Sequence, residues 1–110
     1  MAYLTSFYQG TTSSISIPVG TMYSELTLNA FSKVTIVMAE SYGGPEVLNK
    51  STVSFDNDGI ATFKLTVTNT NITPGKYYYE IFLEHDTNGV DNYDTEYVIE
   101  SGRVQVKDRV

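Results

Sequence analysis

Apolar and polar positions alternate with a period of two along most of this chain, and that period predicts strands. In Ser14-Ile15-Ser16-Ile17-Pro18-Val19 one face takes Ile15, Ile17 and Val19, and Pro18 suggests an edge because proline cannot donate to a ladder. Glu25-Leu26-Thr27-Leu28 is a short alternating piece. Lys33-Val34-Thr35-Ile36-Val37-Met38-Ala39 is apolar on both faces near its centre and reads as a central strand, broken by Gly43-Gly44-Pro45. Ser51 to Phe55 is the next strand. Asp56-Asn57-Asp58-Gly59 then predicts a hairpin turn in which glycine supplies the positive φ. The chain returns as Ala61 to Val67, with Ala61, Phe63, Leu65 and Val67 on one face. Thr68 to Thr73 is a polar connection anchored by Ile72.

The segment Pro74-Gly75-Lys76-Tyr77-Tyr78-Tyr79-Glu80-Ile81-Phe82-Leu83 carries the most information. Successive side chains of a strand point to opposite faces. Tyr77, Tyr79, Ile81 and Leu83 therefore share one face, and Tyr78, Glu80, Phe82 and Glu84 share the other. Three environments suit Tyr78 and Phe82: a face covered by other parts of the chain, a protein–protein interface, where aromatic residues are enriched, or a platform on which a sugar ring stacks. The last strand, Thr95 to Lys107, has a parity conflict. Val104 and Val106 face one way, with Arg103, Gln105 and Lys107 opposite, but the same register carried backwards exposes Tyr97 and Ile99. A bulge near Ser101-Gly102 would re-phase the strand and bury Ile99.

No segment shows helical periodicity of useful length. Seven to eight short strands, punctuated by turns, predict an all-β fold: a single Ig-like antiparallel β-sandwich. Its 110 residues suit one domain, residues 1–110. Residues 1–12 form a possible docking arm, because Tyr3, Leu4, Phe7 and Tyr8 are apolar for a terminus and would dock on the sandwich or on a neighbouring subunit.

The stretch from Val34 to the C-terminus has a distinctive layout. An apolar strand, a glycine break, a short strand, Asp58-Gly59 and a threonine-rich strand precede Gly75, Tyr77, Tyr79, Ile81 and Leu83. Gly102, Val104, Val106 and Arg109 close the pattern. It resembles the small Ig-like β-sandwich domains of tailed-phage virion structural proteins and is similar to the N-terminal domain of upper baseplate proteins. There a "pGxYxYdixl" strand precedes a hairpin and a final "GxvxV" strand ending near an arginine. Tyr8-Gln9-Gly10 continues the resemblance more weakly. With the sandwich filling the sequence, the resemblance implies a small accessory protein of a virion, on the tail, baseplate, neck or capsid surface. It would be made in the host cytoplasm and act by assembly contacts with other virion proteins, in symmetric multiple copies.

Composition narrows the alternatives. Hydrophobic residues at 41% and charged residues at 18% fit a globular domain rather than a disordered one. A net charge of −6 repels phosphate backbones, so no nucleic-acid partner is expected. With no cysteine there are no disulfides and no thiolate zinc sites. Neither a signal peptide nor a membrane-spanning run is visible, so no membrane partner is expected.

Candidate chemistry is sparse, and no enzyme activity or cofactor is expected. His85, the single histidine, reads as a solvated strand end, since Glu84 and Asp86 point away from it. Asp86, Asn88, Asp91 and Asp94 form an oxygen-rich loop, a weak calcium candidate whose glycine spacing departs from the EF-hand pattern. Glu80 and Glu84 share a strand face, but a small sandwich offers little cleft for a carboxylate pair. No Gly-x-Ser-x-Gly elbow and no phosphate loop occur. The candidate interface is Tyr78 and Phe82 together with Tyr3, Leu4, Phe7 and Tyr8. A carbohydrate-binding module for host attachment is the rival.

Overall fold

The computed structural model describes residues 4–23, 32–52, 55–56, 58–85 and 95–108. Among these described residues, seven strands and two single helical turns run in the order β1 (Ser6–Tyr8), β2 (Ser13–Pro18), α1 (Val19–Met22), β3 (Ser32–Ala39), β4 (Glu46–Thr52), β5 (Ile60–Leu65), α2 (Val67–Thr70), β6 (Gly75–His85) and β7 (Thr95–Lys107). A five-stranded sheet has the order β1-β7-β6-β3-β4, and β2 pairs with β5 in a second sheet. The architecture is mostly β, with the two sheets packed together around one core.

The two-residue period builds that core. Val34, Ile36 and Met38 of β3, Tyr77, Tyr79, Ile81 and Leu83 of β6, and Val104 and Val106 of β7 are buried on the inner face of the large sheet. Ile15 and Ile17 of β2 and Ala61, Phe63 and Leu65 of β5 belong to the same cluster from the small sheet. Leu4, Phe7, Val19 and Ile72 close its margins. Burying each large apolar side chain contributes about 1.5–3 kcal/mol.

Several expectations change. The large sheet is not wholly antiparallel, because β1 runs parallel to β7, with Ser6 opposite Gln105 and Tyr8 opposite Lys107. The Asp56-to-Gly59 turn forms, with Gly59 at φ 75° and Asp56 Oδ1 accepting from the Asp58 and Ile60 amides at 2.8 and 2.9 Å. It closes a short hairpin, with Phe55 bridged antiparallel to Ala61 of β5 and the Asp56 amide donating to the Ile60 carbonyl at 3.1 Å, so the chain has left β4 of the large sheet before the turn begins. Gly20 lies so near this turn that a Cβ there would sit 3.0 Å from the Gly59 Cα. β4 begins at Glu46, directly after Pro45, and not at Ser51. β5 stops at Leu65, because Thr66 caps α2 with a reciprocal Thr66–Asn69 pair; Val67 is thereby turned out and 57% exposed.

The bulge in β7 exists, but earlier than Gly102. Ile81 faces Glu100 while Phe82 faces Val98, which makes Ile99 the extra residue. The shift lets both Tyr97 and Ile99 pack against the core. Gly102 has another task. It lies opposite Tyr79, and a Cβ there would come within 3.3 Å of the tyrosine ring.

Candidate functional site

The outer face of the large sheet is built by the alternate residues of the same strands. Along β6 it carries Lys76, Tyr78, Glu80, Phe82 and Glu84, and along β3 Lys33, Thr35, Val37 and Ala39. β7 adds Glu96, Val98, Ser101 and Arg103, and Tyr8 lies beside Lys107. The inner face of β6 is buried without a break from Tyr77 on alternate residues, whereas every outer residue from Tyr78 to Glu84 is half-buried.

Tyr78 is the centre of this face. Its ring centroid lies 4.2 Å from that of Tyr42, with 33° between the planes. On the other side the Arg103 guanidinium stands 5.1 Å over the ring, and its Nη2 donates to the Tyr78 hydroxyl at 3.0 Å. An arginine over a tyrosine face is attracted by the ring quadrupole and holds a flat, amphipathic surface in place. Tyr42 is 73% exposed. Beneath it a groove of about 190 Å³ is lined by Val37, Ala39, Gly43, Glu46 and Glu80. A second hollow of the same size, between Lys76, Glu40 and Arg103, flanks Tyr78 on the opposite side.

Phe82 sits in the cross-strand row Thr35–Phe82–Val98. Thr35 is buried and its hydroxyl lies 2.8 Å from that of Ser51, while Val98 is 56% exposed. Beyond Phe82, Glu84 and Glu96 face each other across β6 and β7, and Lys33 approaches Glu84 at 3.5 Å.

The N-terminal candidates separate. Leu4 and Phe7 are enclosed in the protein's own core, which removes them from the set available to a partner. Tyr8 remains half exposed, with Lys107 Nζ 5.5 Å from its ring centroid. Tyr3 lies outside the described residues. Asp86, Asn88, Asp91 and Asp94 also lie outside them, and among the described residues no three His, Cys, Asp or Glu side chains group to hold a metal.

His85 is not a solvated strand end. It continues the inner parity of β6, is 5% exposed, and its Nδ1 lies 2.9 Å from the buried Ser32 hydroxyl. Two inner tyrosines also have partners. Burial pushes the Tyr77 phenol up, and the Glu40 charge adds to this; its hydroxyl donates to the Thr73 carbonyl. Burial likewise holds the Tyr79 phenol well above its ordinary range, reinforced by Glu100, whose Oε2 accepts from the hydroxyl at 2.8 Å, and opposed by the Leu4 backbone.

Tyr42 and Val98 are the members of the outer face that the alternation did not bring forward. Tyr42 reaches Tyr78 through the turn after β3, a contact no sequence period encodes. The bulge at Ile99 re-phases Val98 into the row of Phe82. Arg103 was legible, since it alternates with Val104. Among the described residues no helix is long and apolar enough to cross a membrane. No family model matches the chain, and no curated protein or solved structure matches it either.

Proposed function

We propose that this chain is a non-enzymatic structural protein of a bacteriophage virion, seated on the tail, baseplate, neck or capsid surface. It works by burying the outer face of its large sheet against other virion proteins. The observation that carries this reading is the Tyr42–Tyr78–Arg103 stack, continued by the half-buried Phe82 and exposed Val98. Tyrosine and arginine anchors on a rigid sheet are the residues that dominate protein interfaces. Among the described residues β4 ends the large sheet, and it is a poorer docking site because a register shift opposite Met38/Ala39 and the charge of Lys50 blunt it.

The finer fold that goes with this reading is an Ig-like sandwich. In the lettering of that fold, β3, β6 and β7 take the places of strands C, F and G, with β4 as an added neighbour of C, and β2 and β5 take those of B and E. Tyr77 at the start of β6, bonded to the backbone four residues upstream, resembles the tyrosine corner of such domains.

Immunogold labelling of particles from the producing culture tests the function. Gold at one fixed substructure of the particle is the expected result. Label confined to the soluble fraction would overturn the proposal. The second reading, a carbohydrate contact, rests on Tyr42, whose exposed ring overhangs a groove bearing the Glu46 and Glu80 carboxylates. Sugar-dependent glycan-array binding lost in Tyr42→Ala would favour it over assembly.

A further inference from the structure

The outer face is polar in the electrical sense. One end carries Lys76, Arg103 and Lys107 against Glu40, and the other carries Glu84 and Glu96 against Lys33. Tyr78 lies level with Arg103, and between the two ends lie Glu80, Phe82 and Val98. Glu84 and Glu96 stand directly opposite each other, and like charges in such pairs are destabilising. Lys33 approaches Glu84, on the far side from Glu96. The Arg103 guanidinium lies over the Tyr78 ring and donates to its hydroxyl.

We infer that the partner on this face is a second copy of the same chain, stacked sheet on sheet about a two-fold axis. The inference rests on the assembly reading above and names its first partner. An axis crossing the strands between Glu80 and Phe82 reverses the strand direction and keeps the lateral order of strands. Arg103, at the level of Tyr78, then meets Glu84 and Glu96 of the second copy, and the reverse contact forms at the other end. In the middle, Phe82 of each copy lies across from Glu80 of the other, and Val98 across from Ser101. This is the self-complementary pattern that an isologous dimer requires. Sheets stacked this way lie about 10 Å apart with strands within about 30° of alignment. Four strand spacings of about 4.8 Å by eight residues of about 3.3 Å give roughly 500 Å² per copy, or about 1,000 Å² in all, the threshold for a specific interface.

Sedimentation velocity of the purified full chain, from micromolar to millimolar concentration, reads the association. A reversible dimer that weakens with added salt is expected. Arg103→Glu and Glu96→Arg should each weaken it by about tenfold or more through like-charge contacts. Mixed together, the two variants should form a one-to-one heterodimer, because both opposite-charge contacts return. Lys64→Glu, on the small sheet, should leave association unchanged. Circular dichroism checks folding, and Val98→Glu reads the same face without touching the Arg103–Tyr78 contact. A wild-type chain that stays monomeric throughout would overturn the inference, as would charge variants that dimerise normally or a mixture that stays monomeric. A monomer that still labels particles ends the dimer and spares the virion reading; a dimer absent from particles does the reverse.

Discussion

The two faces of β6 are made from one run of residues and obey different rules. Inside, Tyr77, Tyr79, Ile81, Leu83 and His85 are all buried, and each polar atom described there has a partner. Outside, Tyr78, Glu80, Phe82 and Glu84 are half-buried, and Tyr78 owes its placement to Tyr42 and Arg103. The inner face is fixed by packing and polar satisfaction, so change there costs stability. The outer face is fixed by a few ring and charge contacts, so change there costs recognition. A strand of this kind specifies the fold with one set of residues and a surface with the set between them.

The sharpest way to break the comparison is to truncate neighbours. Ile81→Ala should lose about 2–5 kcal/mol of stability, as core truncations to alanine do. Phe82→Ala should lose about 1 kcal/mol, because its ring is only half removed from water. Urea denaturation measures both, and equal losses would mean that the outer face is a second core. Gly102→Ala comes next. The new methyl meets the Tyr79 ring at 3.3 Å, and the strain should cost about 1–3 kcal/mol. A neutral result in thermal melts would show that the ring moves aside freely.

Tyr79→Phe is the most diagnostic substitution. Removing the donor to Glu100 should cost about 1–2 kcal/mol near neutral pH. The folded Tyr79 phenol ionises above the ordinary value, whereas an unfolded tyrosine ionises near pH ~10. Its contribution is therefore complete below about pH 10 and is lost as pH rises beyond it. The phenylalanine variant should show a shallower loss of stability in that alkaline window, read by urea denaturation at a series of pH values.

These contrasts were largely legible before any coordinates. Strict alternation from Tyr77 to Leu83 gives both faces of β6, and carrying it two residues further would also have buried His85. The bulge in β7 was demanded by the conflict between Val104/Val106 and Ile99. It was expected at glycine because glycine tolerates a bulge best, but the space above Gly102 belongs to the Tyr79 ring. Local chemistry also marked the Asp56-to-Gly59 turn. It could not say that the chain changes sheets between β4 and that turn, since turn residues report backbone angles and not the partners of the more distant strands. The parallel pairing of β1 and the Tyr42–Tyr78 stack were out of reach for a similar reason, because both join segments far apart in the sequence.

The position of β1 has a consequence for how the molecule closes. Nearly the whole chain separates Ser6 from the Gln105 it faces, and loop entropy makes so distant a pairing slow to form. Three residues of strand hold that seam, anchored by Phe7 in the core, by Gln9 on the Lys107 carbonyl and by Gly10 on the Thr70 carbonyl. The pairing of β1 with β7 is thus expected to form late, a latch drawn over a domain already folded behind it.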